Sequence, residues 1–145
     1  MFLGLYRHSF DDKGRLTVPA RFREYLNAGA FVTQGFDRNL MVLTGVAFHQ
    51  IYERLNAMNI ADPTARLLRR MILGKAFQLE VDKSGRILIP QNLCEYATLK
   101  DEAVLVGQGD YFEIWTPALW DGQEDMLQDS ETNAQRFSTL NVTTR

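Results

Sequence analysis

The sequence is poor in the residues that build most catalytic and metal sites. Cys94 is the only cysteine, so no disulfide forms within one chain and no thiolate cluster holds a metal there. It falls beside Leu93 and reads as a packed thiol rather than a nucleophile. The two histidines, His8 and His49, read as having no carboxylate or cysteine at ligand spacing. No Gly-x-Ser-x-Gly, no phosphate-cradling Gly-x-x-x-x-Gly-Lys-Ser/Thr and no His-Glu-x-x-His occurs. These absences argue against an enzyme, and no cofactor, metal or small-molecule substrate is expected. No apolar run approaches the roughly 18 residues of a membrane span. Met1 to Arg7 lacks a basic leader, a long apolar core and a small-residue cleavage site, so no signal peptide and no membrane partner are expected, and a cytoplasmic location is.

What the chain does have, it has twice. Asp11-Asp12-Lys13-Gly14-Arg15-Leu16-Thr17-Val18-Pro19 returns as Asp82-Lys83-Ser84-Gly85-Arg86-Ile87-Leu88-Ile89-Pro90, and the match continues through Phe22 on Leu93, Glu24 on Glu95 and Tyr25 on Tyr96. Such self-similarity marks a duplicated structural unit. Each copy reads as a tight turn with Gly at a position needing positive φ, then a strand that ends where Pro opens a helix.

The same grammar organises the rest. Leu5 to Phe10 and Arg15 to Val18 read as a β-hairpin about the first turn. Pro19 starts a short helix with Phe22, Tyr25 and Leu26 on its apolar face. Ala30 to Thr33 and Leu40 to Leu43 are strands, and Thr44 caps a helix through Val46, Phe48, Ile51, Tyr52 and Leu55, a stripe that reads as core or interface. Asp62-Pro63 starts a further helix to about Leu73. Its apolar side is expected to be Leu67, Leu68, Met71 and Ile72, with Arg66, Arg69 and Arg70 opposite as a solvated or subunit-pairing face rather than a phosphate site.

The second copy replays this. Ala76 to Val81 and Arg86 to Ile89 are strands, Pro90 to Ala97 a short helix, and Ala103 to Val106 and Phe112 to Trp115 strands again. Thr116-Pro117 looks a stronger helix start than Thr44-Gly45, with Ala118, Leu119, Trp120 and Met126 inside, and from Ser130 a polar, mobile tail is expected. The organisation is repeat 1 over 5–47, connecting helices over 48–75, repeat 2 over 76–119, and a C-terminal helix and tail over 120–145. A unit of roughly 50 residues buries too little apolar surface alone, so the halves should share one core. Interleaving their hairpins into a pseudo-two-fold barrel flanked by short helices would satisfy the sheet edges. The fold class is α+β, rich in β.

Charge is uneven although the net value is only -2. Residues 1–100 hold 14 Lys and Arg against 9 Asp and Glu, whereas residues 101–145 hold 2 against 9. The first part could share a basic surface or simply be solvated. Each Gly-Arg turn likewise has two readings. Asp11 with Arg15 and Asp82 with Arg86 could be local charge-assisted hydrogen bonds that hold the turn. Alternatively, an Arg at the base of a rigid turn presents a guanidinium fork suited to guanine or phosphate, with Lys13, Lys83 and Arg7 adding phosphate attraction.

The paired turns, the opening Met1-Phe2-Leu3-Gly4, Leu73-Gly74 before the second unit, and Val104-Leu105-Val106-Gly107-Gln108 resemble the MraZ family of bacterial proteins with two tandem AbrB-like repeats, over the chain to about residue 128. The resemblance implies an AbrB-type swapped-hairpin barrel built from both repeats and a ring of about eight to twelve subunits. It implies a nucleoid-associated transcriptional regulator, generally a repressor, that binds short direct repeats of double-stranded DNA upstream of the division and cell-wall gene cluster containing its own gene. Arg15 and Arg86 are placed on DNA by that resemblance, with Gly14 and Gly85 shaping the turns and Asp11 and Asp82 supporting them. The acidic C-terminal part would then face away from DNA. The competing reading is a protein-interaction module of the antitoxin type, using Trp115, Trp120 and the helical surfaces.

Overall fold

Local chemistry explains most of the element boundaries in the computed structural model, which describes residues 1–143. Strand β1 (Leu5–Ser9) leads into the first turn and β2 (Arg15–Thr17) leaves it. Pro19 then stands just before α1 (Ala20–Leu26), where its fixed φ suits a helix start. Strands β3 (Ala30–Gln34) and β4 (Leu40–Thr44) form a hairpin, and the Thr44 hydroxyl caps α2 (Gly45–Asn56) by accepting from the Ala47 N–H. Asp62 accepts from the Thr64 N–H to cap α3 (Pro63–Ile72). The second half repeats the order as β5 (Phe77–Leu79), β6 (Arg86–Leu88), α4 (Gln91–Tyr96), β7 (Glu102–Gly107), β8 (Tyr111–Trp115) and α5 (Pro117–Gln128).

The strands form a six-stranded antiparallel sheet in the order β1-β7-β8-β4-β3-β5 and a separate two-stranded ribbon, β2-β6. Exchanging each strand for its repeat counterpart reverses that order onto itself, so the sheet has pseudo-two-fold symmetry. In the ribbon Leu16 pairs with its own counterpart Ile87, and at the sheet centre Met41 pairs with its counterpart Glu113. The ladders place Ala30 on Ala103, two residues later than the turns place Arg15 on Arg86. Among the described residues β1 and β5 remain the sheet's two edges, and no pairing between them closes it.

The hairpin expected of Leu5–Phe10 with Arg15–Val18 does not form as a ladder. One bridge, Phe10 with Leu16, joins the two segments. Beyond it β1 runs along β7 and β2 along β6, both from the other repeat. Burial explains the exchange: Leu16 and Ile87 share one core with Val18, Phe22, Ile89, Leu93, Leu105 and Phe112, so neither repeat encloses its own apolar strand. Phe2 completes this core, stacking edge-on against Phe22 with ring centroids 5.1 Å apart. Its backbone bonds Gly109, and a Cβ on Gly107 would stand 2.5 Å from the Phe2 carbonyl oxygen. The opening residues and the Val106-Gly107-Gln108 stretch, distant in sequence, thus meet in one contact that requires glycine.

Two smaller cores cover other parts of the sheet. Met41, Leu43, Leu55 and Ile72 pack with Phe48, Ile51 and Leu68 of α2 and α3. Val104, Val106, Trp115 and Trp120 pack under α5. Several expectations need correction here. Leu67 is 65% exposed, and Ala65 takes the buried place on α3. On α5 only Trp120 is buried, with Leu119 and Met126 exposed. Thr116 makes no side-chain cap, so the Thr116-Pro117 start is the weaker of the two and rests on Pro117 alone. From Ser130, where a mobile tail was expected, α6 (Ser130–Arg136) forms because Asp129 caps it through Thr132, while Glu131 and Arg136 lie at the ends that suit their charges. The last two residues of that expected tail lie outside the described residues.

Candidate nucleic-acid interface

The ribbon has an inner and an outer face because side chains alternate along a strand. Leu16 and Ile87 point inward and are fully buried. Arg15 and Thr17 from β2, with Arg86 and Leu88 from β6, occupy the outer face, where Arg15 pairs across to Leu88 and Thr17 to Arg86.

A carboxylate and a glycine organise each end of this face. At turn 1, one Asp11 oxygen accepts from the Lys13 and Arg15 backbone N–H groups, each at 2.9 Å. The other accepts from Arg15 Nε at 2.6 Å and from Arg86 Nη1 at 3.1 Å. Turn 2 repeats the pattern: Asp82 accepts from the Ser84 and Arg86 backbone N–H groups at 2.9 Å and from Arg86 Nε at 3.1 Å. These donors, led by the Arg15 N–H, hold the Asp11 carboxyl down to about 2, and the Arg86 N–H heads those that lower Asp82. Both carboxylates therefore stay ionised near neutral pH.

Gly14 and Gly85 both adopt a φ of 77°, the left-handed region that glycine enters without steric cost. Their carbonyls also seal the ribbon. Val18 donates its N–H to the Gly85 carbonyl at 2.9 Å, and Ile89 donates to the Gly14 carbonyl at 3.1 Å. Each turn is thus fastened to the strand of the other repeat.

The structure therefore brings Asp11, Gly14, Arg15, Asp82, Gly85 and Arg86 into one hydrogen-bonded unit, with Lys13 and Lys83 exposed on its turns. It does not bring Arg7 there. Arg7 reaches Asp121 of α5 instead, at 3.4 Å between two exposed side chains. His49 does meet a carboxylate: Nε2 lies 3.1 Å from Glu53, one helical turn on and exposed, a spacing overlooked in the sequence. Among the described residues no group of three His, Cys, Asp or Glu could hold a metal ion, and no helix is long and apolar enough to cross a membrane.

Three residues of this surface escaped the sequence reading. Thr17 and Leu88 could have been found by counting two residues on from each Arg. Arg23 could not, since α1 carries it onto the turn of the other repeat. Its Nε donates to the Val18 carbonyl at 2.8 Å, and a Cβ on Gly85 would fall within its guanidinium. The counterpart of Arg23 is Cys94, which leaves beside turn 1 an open pocket of about 550 Å³ whose lining includes Lys13, Gly14, Leu88, Cys94 and Lys100. Burial pushes the Cys94 thiol up, as fits a packed group.

Fold and turns together define a two-repeat α+β protein whose halves exchange strands. The chain belongs to the MraZ family. The family model described as "MraZ protein, putative antitoxin-like" matches residues 1–71 and again residues 72–141, which takes the likeness beyond residue 128. The transcriptional regulator MraZ of Roseiflexus sp. (strain RS-1) is 42% identical over 138 residues, 95% of this chain and 94% of its own. That of Thermomicrobium roseum is 43% identical over 141 residues, 97% and 99% of the two chains. That of Desulfitobacterium hafniense (strain DCB-2) is 43% identical over 134 residues, 92% and 94%.

Proposed function

We propose that this chain is a DNA-binding transcriptional regulator that reads double-stranded DNA with the outer face of the β2-β6 ribbon. The observation that carries this reading is the joining of Arg15 and Arg86 on one Asp11 oxygen, which presents two guanidinium groups from a rigid two-stranded element. A two-stranded ribbon fits the major groove, and an Arg fork matches guanine O6 and N7. Its side-chain entropy is already spent on the aspartates. Lys13 and Lys83 on the turn tips serve phosphate contact, which anchors without specifying sequence. Arg7, tied to Asp121, has at most a peripheral part.

The finer reading follows the family. The exchange of β1 and β5 between repeats supports an AbrB-type swapped-hairpin barrel, with repeats over 5–47 and 76–119. Exposed apolar residues on the outer helices, among them Val46, Leu67 and Leu119, supply faces for a ring of about eight to twelve subunits. Such a ring would engage short direct repeats upstream of its own gene cluster and repress it, with avidity from several turns at once. The protein would then work in the cytoplasm on the nucleoid. A protein-binding module of the antitoxin type has the family description in its favour. The tryptophans that would serve it are buried, however, Trp115 at 4% and Trp120 at 6% exposure, against each other and β7.

Protection mapping of the DNA upstream of its own gene tests the reading. We expect spaced protected repeats, with the logarithm of the binding constant falling linearly with the logarithm of the salt concentration. A protein that is folded and assembled but protects nothing, or a stoichiometric protein partner with no salt-dependent DNA shift, would overturn it.

A further inference from the structure

The outer face of the ribbon carries an apolar side chain where a purely electrostatic surface would have none. Leu88 is 58% exposed, although its neighbours in the chain, Ile87 and Ile89, are almost completely buried. It stands directly across from Arg15 in the β2-β6 register, about 5 Å away by strand geometry. Two residues back on its own strand, on the same face, is Arg86. Among the described residues nothing lies over its exposed part, and the glycine at turn 1 leaves it open, with Leu88 Cδ1 3.8 Å from where a Cβ would stand.

Within the major groove one base carries an apolar group, thymine with its C5 methyl, and apolar side chains contact it directly. We propose that Leu88 is a specificity-determining residue that contacts the methyl group of a thymine next to the base engaged by Arg15. The inference rests on the DNA-reading function proposed above and sharpens it. Thr17, the counterpart of Leu88 across from Arg86, offers a smaller methyl beside a hydroxyl. The two ends of the ribbon therefore differ: the Arg15 end selects thymine by apolar contact, and the Arg86 end tolerates other bases.

The test pairs a methyl deletion on DNA with a side-chain deletion on protein. The duplex protected by the wild-type protein is prepared with its thymines replaced one at a time by deoxyuridine, which lacks only the C5 methyl. Wild type should bind at least one such duplex about four-fold more weakly, the factor that burying one methyl group supplies. Leu88→Ala should bind the unmodified duplex more weakly and show no further loss on that deoxyuridine duplex. Its exposed position predicts an unchanged fold, checked by thermal melting. If Leu88→Ala fails to fold, the smaller change Leu88→Val takes its place in the same comparison.

Equal wild-type affinity for every deoxyuridine duplex would overturn the proposal, as would a Leu88→Ala protein that keeps the full methyl dependence. Uniform weakening with a changed subunit number would assign Leu88 to a subunit contact and overturn it too. In each of these cases Arg15→Ala still weakens binding if the ribbon reads DNA. Failure of wild type to bind any duplex would instead bring down the DNA-reading function itself.

Discussion

At the first turn Asp11 accepts side-chain hydrogen bonds from both Arg15 and Arg86, whereas at the second Asp82 is joined by Arg86 alone. The arginines differ in the opposite sense. Arg86 spends Nε on Asp82 and Nη1 on Asp11, while Arg15 spends only Nε, leaving both terminal nitrogens without a partner among the described residues. A third cation, Arg23, covers the second turn, and an open pocket beside Cys94 stands at the first. Two copies of one motif have diverged by exchanging burdens: the second turn is the tied end, and the first is the end with hydrogen-bond donors to offer. Gene duplication makes this possible, because residues outside the motif, at Arg23 and Cys94, change one copy without touching its Asp, Gly or Arg.

Comparing Arg15→Ala with Arg86→Ala is the hardest test of that division. Arg15→Ala should weaken binding to a protected repeat by about 1–3 kcal/mol, the range for one good bidentate base contact. It should leave the melting temperature close to that of wild type. Arg86→Ala should lower the melting temperature more and affect base discrimination less, because it unties Asp11 from the second turn. Titrations by fluorescence anisotropy at one fixed salt, beside thermal melts, separate the two effects. Equal losses in both assays would dissolve the comparison.

Glycine substitutions probe the same difference through stability. Gly14→Ala and Gly85→Ala both place a side chain at a φ of 77°, for which about 1–2 kcal/mol is the expected cost at each site. At Gly14 the new methyl meets only ordinary contacts, the nearest at 3.6 Å. At Gly85 it must displace the Arg23 guanidinium and with it the bond to the Val18 carbonyl. Urea unfolding should therefore place Gly85→Ala below Gly14→Ala. Adding Arg23→Ala should narrow the gap, since the displaced group is then gone. Matching curves for the two single variants would show that Arg23 does not brace the turn.

Much of this is written locally, which is why it could be read from the sequence. The turn signature, the prolines after each strand and the Thr44 and Asp62 caps act within a few residues, and elements began within a residue or two of where these signals stand. Pairing partners are another matter. Nothing in Leu5–Ser9 or Arg15–Thr17 says that each prefers a strand of the other repeat to its neighbour; that choice belongs to the shared core. The same limit hid Arg23, which acts on a turn of the other repeat. It did not hide Leu88: strict alternation from Arg86 puts it on the arginine face, and only the pull of the pattern Ile87-Leu88-Ile89 as an apolar run obscured it. The α6 helix was missed for lack of an apolar stripe, its start being set by the Asp129 cap alone.

Acid titration gives the smallest effect and the clearest sign. Asp11 is lowered from 3.8 to about 2, chiefly by the Arg15 backbone N–H. A carboxylate depressed on folding contributes stability that is fully present above its unfolded value and is lost as pH falls through its folded value. The melting-temperature difference between wild type and Asp11→Asn should therefore be constant from about pH 8 to 5, then shrink below about pH 4 and close near pH 2. Asp82→Asn should show the same shape with a lower plateau, because Asp82 holds only one of the two arginines. A plateau for Asp82→Asn equal to or above that for Asp11→Asn would place the shared anchor at the second turn instead. A difference that grew on acidification would mean that the substituted carboxyl is raised rather than lowered on folding.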